Sequence, residues 1–271
     1  MPRPERDRGL GSLTGLAVCE ALARTSFPAL ESPLPEGLWG DGTAMALNLA
    51  ESLVESQGVN QRDQMIRYTS WFRYGYLSSS ETCEFIDEAV KQATLRFERT
   101  WDPEDHDGVQ GDACLSRVAP VAIFFAGSRH AVLDACAQST RTTHSGRQSL
   151  DACLLLADMI HNALLSRDKA QVVCTELPAG LCPEVANLCA QSAPSGQHAA
   201  CVSLKAAMNA FHGSSFAEGA LACLPSGPRA MAAYGQLAGA WYGFSGIPKP
   251  WRDSLAHVDI LEQLSDRLLK A

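Results

Sequence analysis

What this chain has little of narrows its function before any motif is read. Charged residues make up only 19% of it, no stretch concentrates Lys or Arg, and the formal net charge is -8. A chain so disposed lacks the electrostatic footprint of a nucleic-acid binder or of a protein held at an anionic membrane surface. Long hydrophobic runs are missing too. The longest, Val118 to Ala126, falls far short of the roughly 20 apolar residues that span a bilayer. The charged opening MPRPERDRGL lacks the apolar segment of a secretory signal, so a soluble cytoplasmic protein is expected. Strict alternation of apolar and polar residues is scarce, which leaves little to build strands from.

The ten cysteines contain no CxxC pair. Most lie inside apolar helical patterns such as LDACLLLADMI, so buried, reduced thiols are expected rather than a disulfide framework. Cys182 and Cys189 have neither zinc-ligand spacing nor a histidine at a useful offset. No GxSxG elbow or glycine-rich phosphate loop occurs, and no Ser-His-Asp or Cys-His arrangement can be read from residue order.

What is present is helical periodicity. Apolar residues recur at Met45, Leu49 and Leu53, and again at Leu150, Leu154, Ala157, Ile160 and Leu164, the spacing of one buried helix face. Helices are expected over 9–24, 43–56, 61–75, 81–98, 113–126, 129–138, 147–165, 198–212, 216–223, 229–243 and 257–270. A hydrophobic content of 46% in 271 residues suffices for a large core, and no internal repeat of fixed period is seen. The expected fold is all-α, a single compact multi-helix domain over residues 1–271. Gly235 and Gly239, with Ala238 and Ala240, strip side-chain bulk from one helix so that a second backbone can approach. Pro and Gly break the pattern at Pro28–Gly42, in the acidic TWDPEDHDGVQG ending at Gly111, and at Leu177–Gln197. Loops of that length usually carry a site.

Five segments, in order along nearly the whole chain, resemble the ADP-ribosylglycohydrolase family. LGSLTGLAVCEALA (10–23) is similar to the family opening LGxxxGxAxGDALG, and WGDGTAMALNLAESL (39–53) to TDDTxMxLxLAxSL. GVQGDACLSRVAPVA (108–122) resembles a GxxGNGxxMRxxP loop, and TTHSGRQSLDACLLLADMIH (142–161) the family's TH motif with its following helix. GQLAGAWYGFSGIPKPW (235–251) resembles GxLAGAxYGxxxIPxxW, which in the family follows a GGDxDT motif. The resemblance implies an all-α domain whose cleft holds ADP-ribose and two magnesium ions that organise the ribose at the bond being cut. Such ions are hard cations that need several oxygen ligands.

Carried over position by position, the family's ligand set is incomplete here. Its Thr-Asp-Asp falls on Gly40, Asp41 and Gly42, and its Asp-x-Asp-Thr on Ser226, Gly227, Pro228 and Arg229. Asp41 alone keeps a ligand side chain, with Thr43 adjacent and also matched. A further acidic position aligns with Ser78, and the GD pair of the opening has become Cys19 and Glu20. No magnesium or other cofactor is therefore expected. Arg229 stands where the family has a metal-ligating threonine; it either pairs with Asp41 in place of the metal charge or is a solvated first-turn residue. Asp41 and Glu20 are the candidate catalytic carboxylates.

For a ligand, the resemblance implies backbone contacts to a diphosphate at Gly108 and Gly111, with Asp112 at a family asparagine and Val109 at a family serine. Ser226, Gly227 and Arg229 would border the same cleft. Arg117 matches a family arginine, with a carboxylate inside the fold as its expected partner. His144 either faces the ligand or bonds a carbonyl and orders the next helix; His161 and His257 are expected to be structural. The functional expectation is a relative of these hydrolases that has lost most metal ligands, a pseudoenzyme or a module binding ADP-ribose, an ADP-ribosylated protein or another protein partner. The alternative is an active hydrolase of ADP-ribosyl bonds working through Asp41, Glu20 or Asp112 in a rearranged site.

Overall fold

Small residues decide how the two central helices meet. In the computed structural model, which describes residues 4–24, 33–34, 37–173, 176–189 and 198–271, the first helix α1 (Arg6–Ala23) packs along the penultimate long helix of the chain, Pro228–Gly246. A methyl group on Gly239 would lie 1.9 Å from the Gly11 carbonyl oxygen, and one on Gly235 would lie 2.2 Å from that of Gly15. The two backbones are therefore in direct contact, as the GQLAG spacing predicts. Gly11 opposes Gly239 and Gly15 opposes Gly235, so the helices run antiparallel, and Glu20 near the end of one comes beside Arg229 at the start of the other.

The remaining helices wrap this pair. They are α2 (Asp41–Ser56), α3 (Gln61–Tyr74), α4 (Glu88–Thr100), α5 (Ala119–Phe124), α6 (Arg129–Thr140) and α7 (Arg147–Leu165). After them come α8 (Pro183–Ala186), α9 (Ala199–Phe211), α10 (Phe216–Cys223), the crossing helix α11 (Pro228–Gly246), α12 (Lys249–Asp253) and α13 (Val258–Lys270). Among the described residues there is no strand. None of their helices is long and apolar enough to cross a membrane. The all-α expectation holds, and α7 and α10 match the sequence pattern residue for residue.

Two expected helices are shorter, each for a local reason. The helix expected over 81–98 begins only at Glu88, because the Asp87 side chain accepts from the amides of Ala89 (2.9 Å) and Val90 (3.4 Å) and caps α4 there. The one expected over 113–126 divides into a 3-10 turn, Ala113–Arg117, and α5. Buried Gln236 of α11 takes the amides of Val118 and Ala119 on its Oε1, at 2.9 and 2.8 Å, and donates to the Leu115 carbonyl at 2.8 Å. One side chain thus replaces the helical bonds at the break.

The expectation that all cysteines are free thiols is corrected at Cys189, which is disulfide-bonded; eight others are free. Burial of most of these thiols is as expected, since they fill helix faces without bearing charge. Cys174 lies outside the described residues, as do most of Pro28–Gly42 and the end of Leu177–Gln197.

Candidate functional site

The start of α2 carries the surviving carboxylate, and it is held from both sides. Gly40 precedes the helix without a capping side chain, and the orphan amides of the first turn are met by Glu20 from α1. Its carboxylate accepts from the amides of Gly40 (3.1 Å), Gly42 (3.1 Å) and Thr43 (2.8 Å) and from the Thr43 hydroxyl (2.7 Å). Burial, and next to it the charge of Asp41, push the Glu20 carboxyl above its usual range, against the Thr43 bonds and the Arg229 charge. Glu20 is an anionic plug in the helix N-terminus.

Asp41 faces the opposite partner. Arg229, in the first turn of α11, donates from Nη1 to Oδ1 at 2.9 Å and from Nη2 to Oδ2 at 2.7 Å. The pair is 13% and 10% exposed at Arg229 and Asp41 respectively, so of the two expected roles the guanidinium takes the paired one. Burial opposes its charge, but Asp41 outweighs burial and holds the Arg229 pKa above its ordinary value, with Glu20 and Asp87 adding to the effect.

This pair forms part of the lining of a cleft of about 380 Å³. Trp39, Trp71 and Phe85 supply apolar walls, and Arg24 and Glu84 stand at 3.1 Å from each other among its lining residues. Phe85 is 64% exposed, with the Arg229 guanidinium 6.0 Å from its ring centre. Ser78 also lines the cleft, its hydroxyl 3.3 Å from that of Ser80. Ser226 and Gly227 flank the cleft without lining it; Gly227, at φ 91°, turns the chain into α11.

The second group of expected residues gathers around the acidic loop. Asp105, a residue the sequence reading did not single out, organises it: the buried carboxylate accepts from the amides of Asp107 (3.1 Å), Val109 (2.9 Å) and Ser145 (2.9 Å) and from the Ser145 hydroxyl (2.7 Å). Burial alone would raise its pKa, yet these bonds prevail and hold it below the usual carboxylate value. The amides of Gly108 and Gly111 are themselves occupied, by the hydroxyls of Ser145 (3.0 Å) and Ser149 (2.8 Å). Asp112 turns toward α9, accepting from Ser203 at 2.7 Å. A second cavity, of about 400 Å³, opens beside Val109 and Thr143, with Arg96 and Arg99 on its α4 side.

His144 is fully buried, its Nδ1 2.8 Å from the Thr143 hydroxyl. Burial first, then the Arg117 charge, lower its pKa to about 3, so the ring is neutral. The expected carbonyl contact is not made by this side chain. Nor does Arg117 meet a carboxylate: it donates to the Thr143 hydroxyl and lies 5.4 Å from the Tyr68 ring centre. His161 bonds the Ala126 carbonyl at 3.0 Å and His257 sets its ring edge against Trp39, both structural contacts. The two groups adjoin through Ser116, whose Cβ would stand 2.4 Å from a methyl group on Gly42.

Three of the residues around the cleft, Asp87, Phe85 and Trp39, carry no recognisable pattern in the sequence; Asp87 alone has a local signal, an acidic residue just before a helical run. No group of three or more His, Cys, Asp or Glu side chains among the described residues is placed to hold a metal ion.

With this geometry in place, the chain's relatives can be set beside it. The family model described as ADP-ribosylglycohydrolase matches residues 1–271. The chain is 27% identical to "ADP-ribosylarginine hydrolase Tri1" of Pseudomonas putida (strain GB-1), over 98% of this chain and 79% of that protein. It is 29% identical to the protein of the same name from Serratia proteamaculans (strain 568), over 97% and 79%. A solved structure titled "ADP-ribosylglycohydrolase-related protein complex" superposes with a TM-score of 0.83 at 32% identity, covering 98% of each chain.

Proposed function

The chain belongs to the ADP-ribosylglycohydrolase family, and on that premise we propose that it recognises an ADP-ribosyl group, free or attached to a protein, without the metal-assisted hydrolysis of the family. The observation that carries this reading is the two-pronged ion pair of Arg229 with Asp41. Both oxygens of the one retained ligand carboxylate are engaged by a fixed cation, which leaves a dication neither a ligand nor an unopposed negative field.

The neighbouring groups support the same conclusion. The Glu20 carboxylate is committed to four donors at the α2 N-terminus. The family's second aspartate position is Gly42, where a Cβ would meet Glu20 Oε1 and the Ser116 Cβ, each at 2.4 Å. The residues present do not fit a pair of magnesium ions, and no reaction step is assigned through them. The Arg229 guanidinium supplies the positive charge in their place, beside a cleft large enough for a sugar and its neighbouring group.

Two relatives carry the name ADP-ribosylarginine hydrolase, so ADP-ribosylated arginine is the modified group to test. Incubation of the protein with an ADP-ribosylated arginine peptide and Mg²⁺, alongside titration with ADP-ribose, separates the possibilities. Binding without turnover supports the reading. Turnover abolished by Asp41→Ala would replace it with an active hydrolase, a reading that the raised carboxyl of Glu20 favours as a general acid. Absence of both would point to a protein partner.

A further inference from the structure

His144 is fully enclosed, yet one of its ring nitrogens is left without a partner. Nε2 makes no hydrogen bond and is turned toward Gly111, where a methyl group would stand 2.9 Å away. The other nitrogen, Nδ1, lies 2.8 Å from the Thr143 hydroxyl. That hydroxyl oxygen already accepts from Nη2 of Arg117, and a guanidinium can only donate.

The proton count then selects one tautomer. If Nδ1 carried the hydrogen and donated to Thr143, the hydroxyl hydrogen would have no acceptor and Nε2 would be a second unmet group. If the hydroxyl donates to Nδ1, only the Nε2–H is unmet. Buried polar groups left unmet are costly, so the second arrangement prevails. Arg117 reinforces it: the residue is 2% exposed, with the Thr143 hydroxyl, the Met45 sulfur at 4.0 Å and the Tyr68 ring around it. The charged groups bearing on the imidazole are Arg117 from the 3-10 turn, Asp105 from the acidic loop and Arg229 from α11; only Asp105 favours a second ring proton.

We propose that Arg117 is a positioning residue which, through the Thr143 hydroxyl, fixes the His144 tautomer with its proton on Nε2, so that a permanent donor stands beside Gly111 for an acceptor oxygen of the bound ADP-ribosyl group. The ligand clause rests on the function proposed above; the tautomer does not.

Nitrogen-detected NMR of the imidazole tests the relay, with ADP-ribose as the added ligand. In the unmodified protein the ring should show a protonated Nε2 and a bare Nδ1, unchanged between about pH 5 and 8. Thr143→Val, which keeps the shape and removes the hydroxyl, should give mixed tautomers, bring titration into that window and weaken ADP-ribose binding about tenfold. Thr143→Ser should restore all three. ADP-ribose should shift the Nε2 resonance. A proton on Nδ1 in the unmodified protein, a tautomer indifferent to loss of the hydroxyl, or bound ADP-ribose that leaves Nε2 unmoved overturns the proposal. A fixed tautomer in a protein that takes no ADP-ribose upholds the relay and counts instead against the binding function.

Discussion

Arg229 and Asp41, 188 residues apart in the chain, are joined by two parallel hydrogen bonds of 2.9 and 2.7 Å beside the cleft. The contact ties the start of α11 to the start of α2 and neutralises the carboxylate that the family uses for metal. Removing one partner strands the other in a largely dry site, which is worse than never having had the pair. Arg229→Ala is therefore expected to lower stability by about 3 kcal/mol, read as a shift in the urea midpoint. Asp41→Ala should cost a similar amount, and the double variant less than the sum of the two.

The antiparallel contact of α1 with α11 fixes where that pair can form. Gly239→Ala places a methyl group 1.9 Å from the Gly11 carbonyl oxygen, a clash with backbone on both sides that no rotamer relieves. A loss of about 3 kcal/mol is expected, seen in thermal or urea unfolding. Gly58→Ala, where a Cβ meets nothing within 4 Å, is the comparison for a glycine outside the crossing; its positive φ of 151° adds its own strain.

Restoring one acidic residue should not restore a metal site. Gly42→Asp brings a Cβ to 2.4 Å from Glu20 Oε1 and from the Ser116 Cβ, so the protein is expected to lose stability while calorimetry with Mg²⁺ or Mn²⁺ shows no specific binding. Binding by this single variant would mean that Glu20 and Arg229 yield more easily than their hydrogen bonds indicate.

His144 makes the fold acid-sensitive in a defined direction. Its folded pKa is lowered to about 3 from an ordinary 6.5, so between those values the unfolded chain binds a proton that the folded chain refuses. The stability this neutral ring contributes is present above pH 6.5 and is lost as pH falls toward 3. The slope is about 1.4 kcal/mol per pH unit for one proton. In His144→Gln the stability difference between pH 7 and pH 4 should shrink accordingly, measured by urea titration at each pH.

Most of the helices were legible because each buries one face, and the period of that face is written locally. The α1–α11 crossing was legible for the same reason, in the spacing of Gly235 and Gly239. What the sequence hides is long-range hydrogen bonding. Gln236 reads as one polar residue in an apolar helix, and nothing near it tells that its amide meets the backbone of residues 115–119. Asp105 is one acid among several in TWDPEDHDGVQG, distinguished only by the amides folded around it. The helix expected to start at 81 failed at Asp87 because capping competes with periodicity over a single turn. For the site, the pairing of Arg229 with Asp41 was one of two readings offered by the resemblance, and distance alone decided between them.

The most direct test of the central claim is the affinity for ADP-ribose measured with magnesium present and again with the metal removed by a chelator. If the Arg229 guanidinium stands in for the missing ions, the two affinities are equal within error and Arg229→Ala weakens both alike. Binding that appears only with magnesium, or strengthens tenfold or more when it is added, would contradict the account.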